Sequence, residues 1–183
     1  MQGLAGFGSF RHLTSRFAGS LWPGGPNPTG EAWARRWLLA GERDIWTRLS
    51  GPDRRHAVGV SHRVAASLGN ADGAGIPRQV LAAALLHDSG KVESGFGTFG
   101  RVFVTLVTAA AGRAQVAAWG DRDTGWRRRA GQYVRHDVLG AQLLEAAGSH
   151  PVTSTWAREH HLPPSRWTVE PEWAHALKAA DDD

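Results

Sequence analysis

The feature that most constrains this chain is an apolar helical run that ends in a histidine and an aspartate. Residues 80–81 and 84–85 are apolar pairs that recur at the spacing of a helix. His87 and Asp88 come next on the same face. A carboxylate that faces a protein core is costly unless it is paired or bound to a cation. The run therefore predicts an inward-facing carboxylate that needs a cationic partner.

The same placement recurs in four further segments with helical spacing. The histidine or aspartate residues on their apolar sides are His56 in 54–68, His136 in 136–147, His160 in 151–161 and Asp181 in 171–181. A single histidine on an apolar face is usually a hydrogen-bonded core residue. Six such groups in one small domain would be poorly satisfied without a cation. Imidazole nitrogen and carboxylate oxygen are ligands that borderline divalent metals prefer, so the set predicts a metal site.

The rest of the chain also follows the helical period, and alternating strand patterns are nearly absent. Apolar residues make up 42% of the 183 residues, which is enough for one sizeable core. We therefore expect an all-α fold, a helical bundle with an N-terminal helical arm. The predicted helices span 31–48, 54–68, 77–88, 100–118, 123–132, 136–147, 151–161 and 171–181. Gly90 is predicted to stop the third of them.

The N-terminal part is predicted to be an arm that precedes the helical domain. Residues 7–22 place apolar side chains at helical spacing with arginines between them, as in an amphipathic helix. Two roles stay open for this helix, packing across the domain or contact with a membrane surface. Prolines and glycines at 23–30 predict a linker. The chain thus divides into an arm and linker, residues 1–30, and a metal-binding helical domain, residues 31–183.

Composition limits the chemistry and the partners. The chain has no cysteine, which excludes disulfides, thiolate metal sites and cysteine nucleophiles. The formal net charge of +4 suits anionic small molecules and does not require nucleic acid. The sequence begins without the features of a signal peptide, and no stretch reaches the roughly 18 apolar residues of a membrane span. We therefore expect a soluble cytoplasmic protein.

Together these residues resemble a known family. Residues 53–60 are similar to the opening helix of the HD-domain superfamily of metal-dependent phosphohydrolases. Residues 85–91, Leu-Leu-His-Asp-Ser-Gly-Lys, resemble the central His-Asp motif of that family. His136 and His160 stand where two-metal members carry further histidines, and Asp181 resembles the closing aspartate. The set is specific as a whole, although each part alone is not.

The resemblance covers roughly residues 50–181 and implies an all-α domain with a divalent metal centre, of two ions in two-metal members. It implies that Asp88 bridges both ions and that a metal-bound hydroxide is the nucleophile. The other implied ligands are His56, His87 and Asp181 for one ion, and His136 and His160, with His161 as a further candidate, for the second. Helical phase puts His161 about 100° away from His160, so it would bind only where the helix end frays. The implied metals are Mn, Fe, Co, Ni or Zn.

Three features bear on the substrate. Lys91 is expected to act with Asp88 in catalysis by meeting a phosphate oxygen, and the alternative is a solvated lysine at a helix end. The arginines of 122–135 form a solvated helix face, a phosphate-attracting rim or a nucleic-acid surface, and Arg135 is the candidate substrate ligand among them. The glycine-rich segment 95–100 is predicted to be a loop at the rim of the site, where its phenylalanines could contact a nucleobase.

These expectations favour an enzyme that hydrolyses phosphate ester or anhydride bonds of a nucleotide-like small molecule. After His161 the chain continues Leu-Pro-Pro and lacks the Gly-Tyr-Pro motif of the cyclic-di-GMP phosphodiesterase branch. The resemblance is therefore to small bacterial HD phosphohydrolases that act on nucleotides. Two alternatives stay open, a di-iron oxygenase of the HD type with a similar ligand cage, and a non-catalytic module that senses a nucleotide.

Overall fold

The computed structural model describes residues 24–183, and every regular element in that range is a helix. The all-α prediction is therefore confirmed for these residues, while the predicted arm helix at 7–22 lies outside them. The helices are α1 Pro28–Trp37, α2 Ala40–Arg48, α3 Gly51–Ser67, α4 Arg78–Leu86, α5 Lys91–Ser94, α6 Thr98–Ala111, α7 Arg113–Arg122, α8 Gly125–Val134, α9 His136–Ala146, α10 Pro151–Glu159 and α11 Pro171–Asp182. A short 3-10 turn covers Pro164–Arg166.

Helix α4 forms the centre of the bundle. Each of its residues from Val80 to Leu86 is buried, and α1, α3, α10 and α11 pack around it. One apolar cluster joins Leu81 to Val64, Trp156 and Leu177 on three of those helices. Because His87 directly follows Leu86, the packing of α4 carries the His-Asp motif into the middle of the domain.

Helices α6, α7 and α8 form a smaller unit between the His-Asp motif and His136. Their shared core consists of Val104, Val116, Ala130 and Val134. Helix α8 packs against α5 and α9, which attaches this unit to the side of the bundle that carries the motif. No single helix within residues 24–183 has both the length and the apolar composition to cross a membrane, whereas the bent pair Arg78–Ser94 and Phe99–Ala111 meets those two criteria together.

The first helix begins earlier than predicted. Residues 28–30 were expected in the linker, but α1 starts at Pro28. The Oδ1 atom of Asn27 accepts a hydrogen bond from the Gly30 backbone N–H at 2.8 Å. Asparagine is a strong helix N-cap and proline suits the first helical position, so this Asn-Pro pair starts a helix rather than extending a loop.

The segment predicted as one helix over 31–48 is two helices. The buried Glu42 carboxylate accepts from the Leu39 backbone N–H at 2.7 Å, which begins α2. Arg78 of α4 donates to the same carboxylate at 2.8 Å and to the Trp37 carbonyl at 2.9 Å, which ends α1. The break depends on a partner far along the chain, and local periodicity does not contain it.

Two further predictions, the single helix over 100–118 and the helix stop at Gly90, also change. The segment 100–118 is divided at Gly112, whose φ of +87° favours glycine over other residues. Gly90 has an ordinary φ of −67° and is not a left-handed helix stop. A Cβ atom at Gly90 would instead lie 1.9 Å from the His136 carbonyl oxygen, so this glycine permits the backbones of α5 and α9 to meet.

Candidate metal centre

The predicted ligands meet at one place although they come from separate parts of the chain. Helix α3 carries His56 in its second turn, His87 and Asp88 follow the last residue of α4, His136 begins α9, His160 and His161 follow α10, and Asp181 lies at the end of α11. Their donor atoms form two groups that could each hold a metal ion, one of His56, His87 and Asp88 and the other of His136, His160 and His161.

The first group includes Asp181 as well. The Oδ1 atom of Asp181 lies 3.1 Å from Nε2 of His56 and 3.5 Å from Nε2 of His87. Nε2 of His87 also lies 3.4 Å from Oδ2 of Asp88. Two imidazoles and two carboxylates thus direct their donor atoms toward one another.

The second group consists of three imidazoles on the other side of Asp88. Nε2 of His136 lies 3.1 Å from Nε2 of His161. The Oδ1 atom of Asp88 lies 3.3 Å from Nε2 of His136 and 3.8 Å from Nε2 of His160. Asp88 therefore turns one oxygen toward each group.

These separations agree with ligands around shared ions. Metal bonds of about 2.0–2.2 Å place neighbouring donor atoms about 3.0–3.5 Å apart in tetrahedral or octahedral coordination. The six donor separations given above lie between 3.1 and 3.8 Å, in or near that range, and all donors within each group lie within 4.8 Å of one another. The 3.1 Å contact between Nε2 of His136 and Nε2 of His161 is a hydrogen bond when one of the two atoms carries a proton, and a shared metal ion accounts for it when neither does.

The backbone fixes the tautomer of three of the histidines. The Nδ1 atoms of His87, His136 and His160 lie 2.9, 2.7 and 2.9 Å from the carbonyl oxygens of Ala84, Tyr133 and Ala157. A carbonyl oxygen can only accept, so each Nδ1 carries the proton and donates it. This is the outer hydrogen bond that orients ligating histidines, and it leaves the Nε2 lone pair for a metal when the ring is neutral.

Within the part of the chain that the structure describes, two of these Nε2 atoms are buried without a hydrogen bond, although that of His87 lies 3.4 and 3.5 Å from the carboxylates of Asp88 and Asp181. The side chains of His87 and His160 are almost fully buried, and neither Nε2 makes a hydrogen bond of good geometry within residues 24–183. Buried polar atoms are nearly always satisfied, and each exception calls for a ligand or another explanation. A bound cation satisfies both atoms, so the residues present fit a metal ion.

Charge at the centre depends on the two carboxylates. Burial would raise the pKa of Asp88, but the Lys91 ammonium and His87 hold it well below its usual range. Burial likewise opposes ionisation of Asp181, and His87 and His56 lower its pKa. Lys91 donates directly to Oδ2 of Asp88. Both carboxylates are therefore anionic, as metal ligands must be.

The histidines differ in their protonation. Burial lowers the pKa of His56 and of His160, and burial together with His136 lowers the pKa of His161 to about 4. Burial would lower the pKa of His87 too, but the adjoining carboxylates of Asp88 and Asp181 raise it to about 10. His56, His160 and His161 are thus neutral near pH 7, whereas His87 carries a proton in the metal-free protein.

A cleft of about 210 Å³ opens beside the centre. Lys91 belongs to both, because its ammonium contacts Asp88 and its side chain lines the cleft. The other lining residues are Arg48, Ser50, Asp53, Val92, Gly95, Phe96, Gly97 and Arg101. The predicted rim loop is therefore at the cleft through residues 95–97, although residues 98–100 belong to α6.

The two arginines of the cleft were missed by sequence reasoning. Arg101 bonds both oxygens of Asp53, at 2.5 and 2.7 Å, and Arg48 bonds Glu93 at 2.9 Å. Arg135, the predicted substrate ligand, is elsewhere, since its guanidinium bonds Asp121 at 2.6 Å and it does not line the cleft. The density of arginines at 122–135 was the stronger sequence signal, and nothing local in the sequence marks Arg48 or Arg101.

His161 joins the centre from the turn that directly follows helix α10. Helix α10 ends at Glu159, and His160 and His161 form the turn that follows. Glu159 is itself buried and accepts from the backbone N–H and the hydroxyl of Thr168, both at 2.7 Å. The turn after α10 brings Nε2 of His161 to 3.1 Å from Nε2 of His136, and Glu159 anchors the segment that follows to the end of the helix.

The remaining described histidines lie apart from the centre. His62, His150 and His175 are exposed. The ring of His62 lies 4.2 Å from that of Trp33, and the ring of His175 lies 5.4 Å from that of Trp167.

Comparisons with protein-family models, with curated proteins and with solved structures gave no match to this chain.

Proposed function

We propose that this protein is a metal-dependent phosphohydrolase that cleaves phosphate ester or anhydride bonds of a nucleotide-like small molecule. The main support for the proposal is the position of Asp88, whose two oxygens face two separate groups of imidazoles. Lys91 contacts Asp88 and also lines the neighbouring cleft, which contains two arginines. The HD-like order of the motifs along the chain supports the same assignment.

The ligands would be divided between two ions. His56, His87 and Asp181 would hold one, His136, His160 and His161 the other, and Asp88 both. Divalent ions bound there would acidify a coordinated water and neutralise charge on phosphate oxygens. Imidazole and carboxylate ligands fit Mn, Fe, Co, Ni or Zn. The chain needs no serine or cysteine nucleophile for such a reaction.

The cleft gives the phosphate a direction of approach. Three cations, Arg48, Lys91 and Arg101, line it beside the centre, and Phe96 offers an aromatic ring. Lys91 is placed to leave Asp88 for a phosphate oxygen, because the charge of a metal ion on Asp88 would weaken their ion pair. Phe96 would then contact a base or another flat group.

The test is metal content together with a turnover screen. Purified protein should contain divalent metal by mass spectrometry, and with added Mn²⁺ it should release product from some of a panel of nucleoside mono-, di- and polyphosphates and cyclic dinucleotides. Asp88→Ala should abolish turnover. His62→Ala is the matched control, because His62 shares α3 with His56 but is exposed and outside the centre.

Each other outcome has a definite meaning. Stoichiometric iron with oxygen consumption and no phosphate chemistry would replace the proposal by an oxygenase. Metal-free protein that binds a nucleotide without turnover would replace it by a sensing module. Wild-type turnover in Asp88→Ala would remove the centre from the reaction.

A further inference from the structure

Helix α6 turns an apolar face toward solvent. Phe99, Val102, Phe103 and Leu106 are 75, 39, 57 and 64% exposed, and they recur at the spacing of one helical face. The opposite side of the helix supplies Val104 to the core that α6 shares with α7 and α8. The four outward side chains, which we call the outer face of α6, therefore have no part in that core.

Helix α8 extends this face with an aromatic side chain. Trp126 is 48% exposed, and its ring meets that of Phe103 edge-on at 6.0 Å. Large apolar side chains that are exposed singly are ordinary, but a contiguous group usually marks an interaction site. The outer face of α6 and Trp126 form such a group.

The same unit carries the positive charge of the chain. Residues 98–134 contain six arginines and two aspartates, a formal net charge of +4, and two of these arginines, Arg101 and Arg113, pair with Asp53 and Asp137 outside the segment. Three of the arginines, Arg127, Arg128 and Arg129, directly follow Trp126 and are exposed. Apolar and aromatic side chains bordered by arginine are typical of helices that lie in the interface of an anionic bilayer.

We propose that the outer face of α6, with Trp126 and the arginines of α8, docks on an anionic lipid surface. Charge argues against two other occupants, a second copy of this chain and its own N-terminal segment. A second copy would bring the two arginine clusters together, and the N-terminal segment 1–23 contains Arg11 and Arg16 but no carboxylate. Anionic headgroups supply the opposite charge, while the acyl boundary accepts the apolar side chains. The proposal is independent of the function of the metal centre.

The experiment is sedimentation of the full chain with vesicles of neutral phosphatidylcholine or of phosphatidylcholine with one quarter phosphatidylglycerol. Binding to the anionic vesicles should be at least about tenfold tighter, since each arginine near such a surface contributes about fivefold, and it should fall as salt is raised. Phe103→Ser with Leu106→Ser should weaken binding at least about tenfold, because two exposed apolar side chains lose their burial.

A matched control tests whether binding requires the outer face of α6 or depends on any exposed apolar side chain. Leu39→Ser removes a side chain that is 40% exposed in the α1–α2 connection, and it should leave vesicle binding unchanged. Absence of binding, equal binding to both vesicle types, or an unaffected double variant would overturn the proposal. A dimer in light scattering that Phe103→Ser with Leu106→Ser dissociates would assign the face to a second copy instead.

Discussion

The Nε2 atom of His136 lies 3.3 Å from Oδ1 of Asp88, while Oδ2 of the same carboxylate lies 3.4 Å from Nε2 of His87. The two histidines belong to different groups of donors, and Asp88 lies between them with one oxygen toward each group. A ligand of one group and the carboxylate between the two groups should therefore have different effects on metal content.

His136→Gln should lower the bound metal from about two ions per chain to about one, because it removes a donor from the second group only. Asp88→Asn should lower the content of both sites, since it removes the anionic donor that they have in common. Mass spectrometry of the metal after dialysis measures the stoichiometry, and His62→Gln serves as the control. Retention of two ions in Asp88→Asn would contradict a shared ligand.

Metal binding should release a proton from His87. The adjoining carboxylates outweigh burial and raise the pKa of His87 to about 10, so the metal-free protein holds this proton at pH 7.5, whereas His160 and His161 are already neutral. A metal needs the Nε2 lone pair, so affinity should increase as the pH rises toward 10.

Calorimetric titration of metal-free protein with Mn²⁺ in two buffers of different ionisation enthalpy measures the released protons. We expect the heats to differ by an amount that corresponds to about one proton per chain at pH 7.5. Heats that do not depend on the buffer would show that His87 is neutral before the metal arrives.

The Asp53–Arg101 pair should stabilise the fold beside the cleft. Both side chains are largely buried, with 11 and 18% exposed, so Arg101→Met leaves a carboxylate without its partner. We expect the free energy of unfolding at pH 7, measured in urea, to fall by about 3 kcal/mol. Arg158→Met breaks a pair that is about half exposed, with Glu145, and should cost less than about 1 kcal/mol.

The pH dependence of that loss has a definite sign. Burial opposes ionisation of Asp53, but Arg101 and Lys91 lower its pKa below the model-peptide value of 3.8. A carboxylate with a depressed pKa in the folded state stabilises above its unfolded pKa and loses that contribution as the pH falls. The difference in free energy of unfolding between wild type and Arg101→Met should therefore have its maximum value at pH 6 and decrease below pH 3.8.

The sequence predicted which side chains meet at the centre because most of those side chains follow helical phase. His56, His136 and Asp181 each continue an apolar stripe, and a stripe that packs on a central helix carries its polar member inward with it. The positions of His87 and Asp88 could be predicted from the length of α4 alone. His161 lies in the turn that follows α10, where helical phase no longer decides which side chains face the centre.

The cleft and the helix breaks could not be predicted in the same way. Arg101 reaches Asp53 across the His-Asp motif, and Arg78 ends α1 by bonding the Trp37 carbonyl. Such contacts join residues that are distant in sequence, and a single sequence carries no periodic signal for them. Gly90 was predicted as a helix stop because glycine often has that role, whereas its importance comes from the backbone of α9 beside it.

Gly90 gives a sharp test of how the fold positions the second group of ligands. A Cβ atom there would lie 1.9 Å from the carbonyl oxygen of His136 and 2.6 Å from the backbone nitrogen of Gly140, neither of which can rotate away. Gly90→Ala must therefore separate α5 from α9 and displace His136 from Asp88. We expect the free energy of unfolding of the metal-free protein to fall by about 1–3 kcal/mol. We also expect the variant to lose the ion held by the second group.

Gly59→Ala is the matched control for this substitution. Gly59 lies within α3, where the nearest atom to an added Cβ is the flexible end of Arg63 at 3.3 Å. Alanine in a helix interior is favoured over glycine by about 1 kcal/mol, so this variant should be more stable and keep its metal. Urea unfolding and metal content together decide the matter. If Gly90→Ala matched the wild type in both, close contact between α5 and α9 would not be what brings His136 to Asp88.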